Sequence, residues 1–395
     1  MFDVIFSIAL ALIFARSLGY LFDRFKQPAV IGEIIAGLIL GSLGIFILYG
    51  QQFTFFNLTI KLPELTYATP EFELLAELGI LFLLFISGLE TRMSRLKKVG
   101  RPSSFVAIGG AIMPLFLGLL VGLYFSFSLQ ESIVIGLILI ATSVGVTVRT
   151  LMDFHILDTD VGTTILGGAV IDDIFGIILL AFVLGIESPL WVGIKIAIFF
   201  LIFLYLGLKV IDKILDIGEK IHLPKAFLSI SLSIFLIYSF FADSAGIAGI
   251  IGAFVAGILI GQTVRSKKIT NDVKTIGYGF FIPLFFVWVG SKVNVSAFIS
   301  IGLFAITIIV VSIIGKIVGC GLGAKIAGLT NRESLQVGVG MIPRMELSLI
   351  IVTSFIAHGI LTGHVADQIL ATTIILTIVT TLITPFLIKT VFKIR

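Results

Sequence analysis

The sequence predicts an all-α polytopic membrane protein with about 13 transmembrane helices, arranged as two inverted six-helix repeats. The first observation is composition: 58% of the 395 residues are hydrophobic and 13% are charged, and the mean hydropathy is +1.19. The second is the length of the apolar runs, about 20 residues without alternation, which fits helices rather than the roughly ten-residue alternating strands of a membrane barrel. The third is an internal sequence repeat.

Windows of predominantly apolar residues place the spans in order along the chain. Each window is long enough for a helix to cross the hydrocarbon core. Their predicted starts lie near Val4, Pro28, Phe72, Ser103, Glu131, Asp160, Leu190, Lys225, Ser244, Gly277, Ser296, Glu333 and Val365. The seventh span extends to about Val210 and links the six spans on either side of it.

The internal repeat pairs the second span with the ninth. Residues 31–41 read IGEIIAGLILG and residues 251–261 read IGAFVAGILIG, so both follow the pattern I-G-x-x-x-A-G-x-x-x-G. Because an odd number of spans separates them, they cross the membrane in opposite directions, as in the inverted repeats of secondary transporters. The alternative is that two glycine-rich packing faces agree by chance.

Two segments at corresponding positions predict interrupted helices. The fifth span contains ATSVGVT at residues 141–147, and the twelfth contains GVGMIPRME at residues 338–346, including Pro343. Proline removes a backbone donor and disrupts the preceding turn. An interrupted helix leaves carbonyls and amides at membrane depth, which is tolerated only around a cavity or an ion. We therefore expect both breaks to border a binding site.

Basic clusters predict the orientation of the chain, because short cytoplasmic loops carry the excess of lysine and arginine. Such clusters follow the first, third and ninth spans, at residues 24–26, 92–101 and 265–274. The sequence therefore predicts a multi-pass cell-membrane protein whose N-terminus is outside and whose C-terminus is cytoplasmic. The lipid bilayer is its expected partner, and this placement of the basic residues argues against nucleic acid.

Charged residues inside the apolar segments are the candidate functional residues: Asp172, Asp173, Lys316, Arg344 and Glu346. The adjacent aspartates lie about ten residues from each end of their span, roughly 15 Å along a helix and near the bilayer midplane. Inserting a charge there costs on the order of 3 kcal/mol, so an intramembrane acid indicates function by default. This set contains three acids and two bases, so one acid lacks a basic partner. We expect one aspartate to pair with Lys316, Glu346 to pair with Arg344, and the other aspartate to face water.

An acid without a base can bind a proton or a small cation but hardly both, and this competition suffices to couple their transport. Sodium is a hard cation that favours oxygen ligands, so the hydroxyls of Thr142 and Ser143, with carbonyls at the break, complete its expected shell. Alternatively, the aspartates only tie helices together through buried pairs, and Arg344 and Glu346 only hold the broken helix. No P-loop, Rossmann fingerprint or nucleophile motif stands out, so we predict neither an enzyme nor a resident cofactor.

Several motifs together resemble the monovalent cation/proton antiporter superfamily, in the branch of NapA- and NhaA-like sodium/proton antiporters with a double-Asp motif. They are ATSVGVTVR at 141–149, AVIDD at 169–173, FFIPLFFVWVG at 280–290, the segment around Lys316, and GMIPRME at 340–346. The resemblance covers nearly the whole chain, and the paired aspartates beside ATSVG are its most specific part. Met345 departs from it, since many relatives have glycine there.

The resemblance implies roles for the charged residues. In such antiporters the second aspartate carries the cation and the proton, which implies that role for Asp173. The first aspartate contacts the lysine of the later half, which implies an Asp172–Lys316 pair. The resemblance also implies an NhaA-like fold with two crossed discontinuous helices, a homodimer, and a core that moves like an elevator. The double aspartate resembles the electrogenic type, which exchanges two protons per sodium ion; the second proton rides on either Asp172 or Lys316.

The resemblance further divides the chain into scaffold and core parts. The expected parts are scaffold helices that form the dimer at 1–95, core helices at 103–185, a linking helix and cytoplasmic loop at 190–224, scaffold helices at 225–293 and core helices at 296–395. Together these features predict a secondary active antiporter that exchanges Na⁺ or Li⁺ for protons by alternating access. The alternatives are a K⁺/H⁺ antiporter of the same fold, and a channel or non-transporting sensor.

Overall fold

A computed structural model describes most of the chain. The described residues are 2–25, 27–43, 52–55, 58–61, 67, 69–184, 188–220, 225–246, 248–292 and 302–394. The predicted start of the eleventh span, at Ser296, lies outside the described residues.

Helices make up most of the described residues. In chain order they are α1 (Phe2–Arg24), α2 (Ala29–Leu38), α3 (Pro70–Glu90), α4 (Met93–Tyr124), α5 (Leu129–Ile138), α6 (Val144–Asp153), α7 (Asp160–Leu184), α8 (Pro189–Lys220), α9 (Ala226–Ser244), α10 (Gly249–Gly261), α11 (Ser266–Ile276), α12 (Ile282–Ser291), α13 (Leu303–Ile326), α14 (Asn331–Gly340), α15 (Glu346–Ala357) and α16 (Gly363–Phe392). Single π-helical turns follow α2 and precede α12, at Ile39–Leu43 and Gly277–Phe281.

A short hairpin interrupts the helices near the start of the chain. Its strands are β1 (Gln52–Phe55) and β2 (Leu58–Lys61), which pair antiparallel with Gln52 opposite Lys61. Threonine, isoleucine and phenylalanine in these strands favour extended structure. The prediction of an all-helical chain missed the hairpin because its strands are too short to stand out beside the long apolar runs.

Nine helical stretches of the described residues are long and apolar enough to cross a membrane. Eight of them lie within single helices, and the ninth, Ser266–Ser291, runs through α11, the π-helical turn and α12. Their outer faces are apolar: in α8, Leu201 is 72% exposed and Leu208 is 62% exposed. Leucine is among the side chains most often buried in soluble proteins, whereas contact with lipid tails carries no such penalty. The described helices therefore fit a polytopic membrane protein.

The chain forms two compact units. The first comprises Met1–Phe82 and Lys274–Ser300, and the second comprises Leu83–Val273 and Ile301–Ile394. All five charged residues of the apolar segments belong to the second unit. The five-part division into scaffold and core helices stays a prediction.

Two spans of the second unit are interrupted, as the sequence predicts. Helix α5 ends at Ile138 and α6 begins at Val144, while α14 ends at Gly340 and α15 begins at Glu346. The residues between them are not helical, and they coincide with the glycine-, proline- and hydroxyl-rich motifs. Each break leaves carbonyls at the end of the first half and amides at the start of the second without helical partners.

The first half of each interrupted span begins with a capping box. The side chain of Ser128 accepts from the Glu131 amide while the Glu131 carboxylate accepts from the Ser128 amide, and Thr330 and Glu333 repeat the arrangement. Such a box satisfies amides that have no helical acceptor. The two boxes lie 202 residues apart in the chain, and so do the ends of α5 and α14.

Candidate ion-binding site

The two breaks contact each other directly. The hydrogen bonds between them include Ser143 N to Pro343 O at 2.6 Å, Thr147 Oγ1 to Gly340 O at 2.7 Å and Ser348 Oγ to Ile138 O at 3.0 Å. In each case a donor of one span reaches a carbonyl in or beside the break of the other. Carbonyls that we expected to complete a cation shell therefore already accept bonds from the protein.

Asp172 lies on α7 at this crossing, with its side chain fully buried. Its Oδ2 accepts from Lys316 Nζ at 2.7 Å and from Thr142 Oγ1 at 2.7 Å. Its Oδ1 is buried and has no hydrogen-bond donor among the described residues. The structure thus brings together three of the residues singled out in the sequence, and it leaves one carboxylate oxygen without a hydrogen bond.

Asp173 is the next residue on α7 and points about 100° away from Asp172 around the helix. It is 4% exposed, so the expected water-facing acid is covered in this structure. Ser143 is 1% exposed, and neither side chain is without an interaction partner. Burial follows from the crossing itself, because two interrupted spans and their neighbours pack over this turn of α7.

Small residues on α4 make room for the Lys316 ammonium. A Cβ built on Gly110 would lie 2.5 Å from Cys320 Sγ and 3.2 Å from Lys316 Nζ, and a Cβ built on Gly109 would lie 2.1 Å from the Gly319 carbonyl oxygen. The backbones of α4 and α13 therefore approach as closely as glycines permit. Sequence reasoning missed this support, although two adjacent glycines in an apolar span are a signal for it.

Arg344 lies in the second break and is fully buried. Its Nε donates to Ser312 Oγ at 2.5 Å and its Nη1 donates to the carbonyl oxygen of Ala141. The side chain of Glu346 lies outside the described residues, so the proposed Arg344–Glu346 pair stays a prediction. Neither Ser312 nor Ala141 was a predicted partner of Arg344.

Two threonines of α16 hold the backbone of Arg344. Thr380 Oγ1 accepts from the Arg344 amide at 3.2 Å, and Thr381 Oγ1 donates to the Arg344 carbonyl oxygen at 3.3 Å. These bonds replace the helical bonds that the break removes. The guanidinium is therefore directed into the crossing by a backbone fixed on both sides.

The crossing can exchange ions without any covalent chemistry. It holds two carboxylates, an ammonium, a guanidinium and the Thr142 hydroxyl in a region closed to water. In such a region each charge depends on its neighbours rather than on solvent. A proton and a small cation that reached such a carboxylate would compete for its oxygens, because either one neutralises the charge that the other needs.

Known proteins are similar to this chain in sequence and in fold. The chain matches the family described as sodium/hydrogen exchanger, transmembrane, over residues 8–394. A Na⁺/H⁺ antiporter of Enterococcus hirae is 35% identical over 374 residues, covering 93% of this chain and 92% of the relative. The Na⁺/H⁺-K⁺ antiporter GerN of Bacillus cereus is 33% identical over 399 residues, covering 99% and 97%. The fold is similar to that of the sodium proton antiporter MjNhaP1 from Methanocaldococcus jannaschii, with a TM-score of 0.69 at 16% identity over 98% of this chain and 96% of the other.

Proposed function

This chain belongs to the sodium/hydrogen exchanger family, and from that premise we propose that it exchanges sodium or lithium ions for protons by alternating access. It is a multi-pass membrane antiporter of monovalent cations and protons. One observation carries the proposal: Asp172 and Asp173 are buried at the crossing of two interrupted spans, with Lys316 against Asp172. Intramembrane acids in such a place are costly to keep and mark ion pathways.

Asp173 is the proposed carrier of the cation and the proton. The cation's ligands in this proposal are the carboxylates of Asp173 and Asp172 and the hydroxyls of Thr142 and Ser143. Hard monovalent cations favour such oxygen ligands. Thr142 Oγ1 already lies 2.7 Å from Asp172 Oδ2, which supports a shared shell.

Lys316 is proposed to couple charge movement to cation binding. A cation that approaches Asp172 competes with the Lys316 ammonium, which lies 2.7 Å away from Oδ2. The exchange is then electrogenic, with a second proton that rides on either Asp172 or Lys316. No cofactor takes part in this scheme.

We also propose about 13 spans in two inverted repeats, as in the NhaA-like fold. The repeated motif supports this, because Gly37 and Gly257 occupy the same position in it. A Cβ on Gly37 would lie 2.9 Å from the Gly290 Cα in the first unit, and a Cβ on Gly257 would lie 2.9 Å from the Gly88 Cα in the second. Equivalent residues therefore make equivalent helix contacts.

The proposed assembly is a homodimer in the cell membrane, with its N-terminus outside and its C-terminus in the cytoplasm. Core helices within 103–185 and 296–395 are proposed to carry the ion by an elevator-like movement. Basic clusters in the predicted cytoplasmic loops support the orientation. The highly exposed apolar face of α8 offers surface for lipid or for a second copy.

A K⁺/H⁺ antiporter is the nearest alternative. It is supported by the relative GerN, which is named a Na⁺/H⁺-K⁺ antiporter. A channel or a non-transporting sensor built on the same fold is the alternative from another class. These functions differ in the ions that they move. An antiporter moves a cation in exchange for a proton, a channel moves a cation alone, and a sensor moves neither.

Transport into liposomes distinguishes them. Purified protein is reconstituted, gradients of Na⁺, Li⁺ or K⁺ are imposed, and internal pH is followed with the membrane potential free or clamped. We expect sodium and lithium to drive proton movement, faster when the potential is clamped. Proton movement driven by potassium alone would support the K⁺/H⁺ antiporter, conductance without proton counterflow would indicate a channel, and no flux would indicate a sensor.

A further inference from the structure

The Lys316 ammonium needs another acceptor whenever its pair with Asp172 opens. The lysine side chain is fully buried, and its Nζ donates to Asp172 Oδ2 at 2.7 Å. In the proposed exchange, a cation that binds Asp172 competes with this contact. A buried charge left without a partner is strongly destabilising. The displaced ammonium therefore has to find an oxygen within reach of the same side chain.

The backbone of α4 lies directly beside the ammonium at Gly110. A Cβ built on Gly110 would lie 3.2 Å from Lys316 Nζ and 3.8 Å from Lys316 Cδ. Because glycine has no Cβ, the end of the lysine side chain can rest against the backbone there. The nearest other atom is Cys320 Sγ, at 2.5 Å, and a thiol is only a weak hydrogen-bond donor. Of the atoms closest to this position, the ammonium nitrogen is thus the strong donor.

Pro114 withdraws the helical donor from the carbonyl of Gly110. It lies in the interior of α4. In a regular helix, the amide of residue 114 would donate to the carbonyl four residues earlier, which is that of Gly110. Proline has no N–H to donate. In a membrane-spanning helix, a carbonyl freed in this way is satisfied by a neighbouring group.

The freed carbonyl belongs to the face of α4 that packs against α13. Residues four apart lie on the same face of a helix. Gly110 lies beside Lys316, and a Cβ built on Gly315 of α13 would lie 3.4 Å from Pro114 Cα. A carbonyl that needs a donor and a displaced ammonium that needs an acceptor therefore share one helix interface.

We propose that the Gly110 carbonyl is the second acceptor of the Lys316 ammonium and holds it while a cation occupies Asp172. Pro114 is then a positioning residue, because it keeps this carbonyl out of the helical hydrogen bond. The movement of the ammonium from Asp172 to Gly110 rests on the proposed function, whereas the affinity of the carbonyl for the ammonium does not. The competing explanation is that Pro114 only bends α4 around α13.

A double-mutant cycle between Pro114 and Lys316 tests the contact without transport. Both residues are changed in the Asp172→Asn background, where the neutral amide no longer compensates the ammonium. Pro114→Ala supplies the missing N–H and removes a proline from a helix interior, so it should raise the melting temperature of the Lys316→Met protein. With Lys316 present, the new helical bond competes with the ammonium for the carbonyl. We then expect the rise to be smaller by at least about 2 °C.

Pro102→Ala is the matched control, because Pro102 is also a proline in the interior of α4. It should shift the melting temperature equally with and without Lys316. Equal shifts for Pro114→Ala in the two proteins would overturn the proposal and leave Pro114 as a bend in α4. Coupling at Pro114 together with no sodium/proton exchange by wild-type liposomes would support the acceptor and count against the proposed function.

A second set of variants leaves Pro114 in place and blocks the approach to the carbonyl. Cys320→Ala removes the sulfur that a Cβ on Gly110 would meet, so adding Gly110→Ala crowds mainly the end of the Lys316 side chain. We expect the double variant to need about tenfold more sodium for half-maximal exchange than Cys320→Ala alone, at a similar maximal rate. Pro114→Ala should act in the same direction, and Pro102→Ala should not. A lower maximal rate with an unchanged half-maximal sodium concentration would overturn the proposal, because it would indicate a packing defect alone.

Discussion

Removing Lys316 from its buried pair tests the energetics of the crossing. Lys316 Nζ lies 2.7 Å from Asp172 Oδ2, and both side chains are fully buried. Lys316→Met keeps a side chain of similar length and removes the charge. Asp172 Oδ2 then retains the Thr142 hydroxyl as a donor but loses the ammonium that compensates its charge.

The expected loss is large because one charge is left behind. Breaking a buried ion pair by removing one partner costs about 3–5 kcal/mol. With an unfolding entropy of about 2 cal/mol/K per residue, that loss lowers the melting temperature by about 4–6 °C for a chain of this length. Asp172→Asn combined with Lys316→Met removes both charges, so it should recover most of the loss.

Thermal unfolding of the wild type, both single variants and the double variant gives a double-mutant cycle. All four are measured in one detergent at one pH. Because the double variant should recover most of the loss, we expect a coupling energy of at least about 3 kcal/mol between the two positions. Lys325→Met is the matched control, since Lys325 is an exposed lysine on the same helix, α13, and it should shift the melting temperature by less than about 1 °C.

The reasoning fails if the pair contributes no coupling. A Lys316→Met protein as stable as the Lys325→Met control would show that Asp172 does not depend on the ammonium. Single-variant losses that add to within about 0.5 kcal/mol would lead to the same conclusion, because independent sites behave in that way.

Three further predictions concern packing, capping and ion binding. Gly109→Ala should destabilise by about 1–3 kcal/mol in thermal unfolding, because its Cβ would lie 2.1 Å from a facing carbonyl oxygen, whereas Gly193→Ala, with nothing within 4 Å, should not; equal effects would contradict the packing. Ser128→Ala and Thr330→Ala should each cost about 1 kcal/mol by the same assay, and no loss in either would contradict the capping boxes. Thr142→Val should raise the sodium concentration for half-maximal exchange by about tenfold, whereas Thr142→Ser should stay near wild type; an unchanged value in Thr142→Val would remove Thr142 from the shell.

The sequence predicted the features that interrupt its apolar pattern. Pro343 and the neighbouring glycines stand out in a span, as do Asp172 and Asp173, because each conflicts locally with a lipid-buried helix. The count of acids and bases predicted that Lys316 pairs with one of the aspartates, and the resemblance implied that this aspartate is Asp172. The interrupted spans and this contact could therefore be anticipated from single segments and their composition.

The sequence could not predict which distant residues complete the crossing. The Ser312 hydroxyl and the Ala141 carbonyl accept hydrogen bonds from Arg344. A serine is ordinary in an apolar span, and the predicted break at 141–147 does not indicate which of its carbonyls Arg344 reaches. Gly110 faces Lys316 only because α4 and α13 approach closely. The burial of Asp173 likewise depends on how several helices close over one turn of α7, which no single segment encodes.

Sodium-driven proton movement in liposomes, measured for the wild type beside Asp173→Asn, tests the central claim most directly. Purification of the variant as a folded protein, with a cooperative melting transition, is the control for misfolding. The account predicts that wild-type liposomes change their internal pH when sodium is added and that Asp173→Asn liposomes do not. Sodium/proton exchange by Asp173→Asn at the wild-type rate would contradict it.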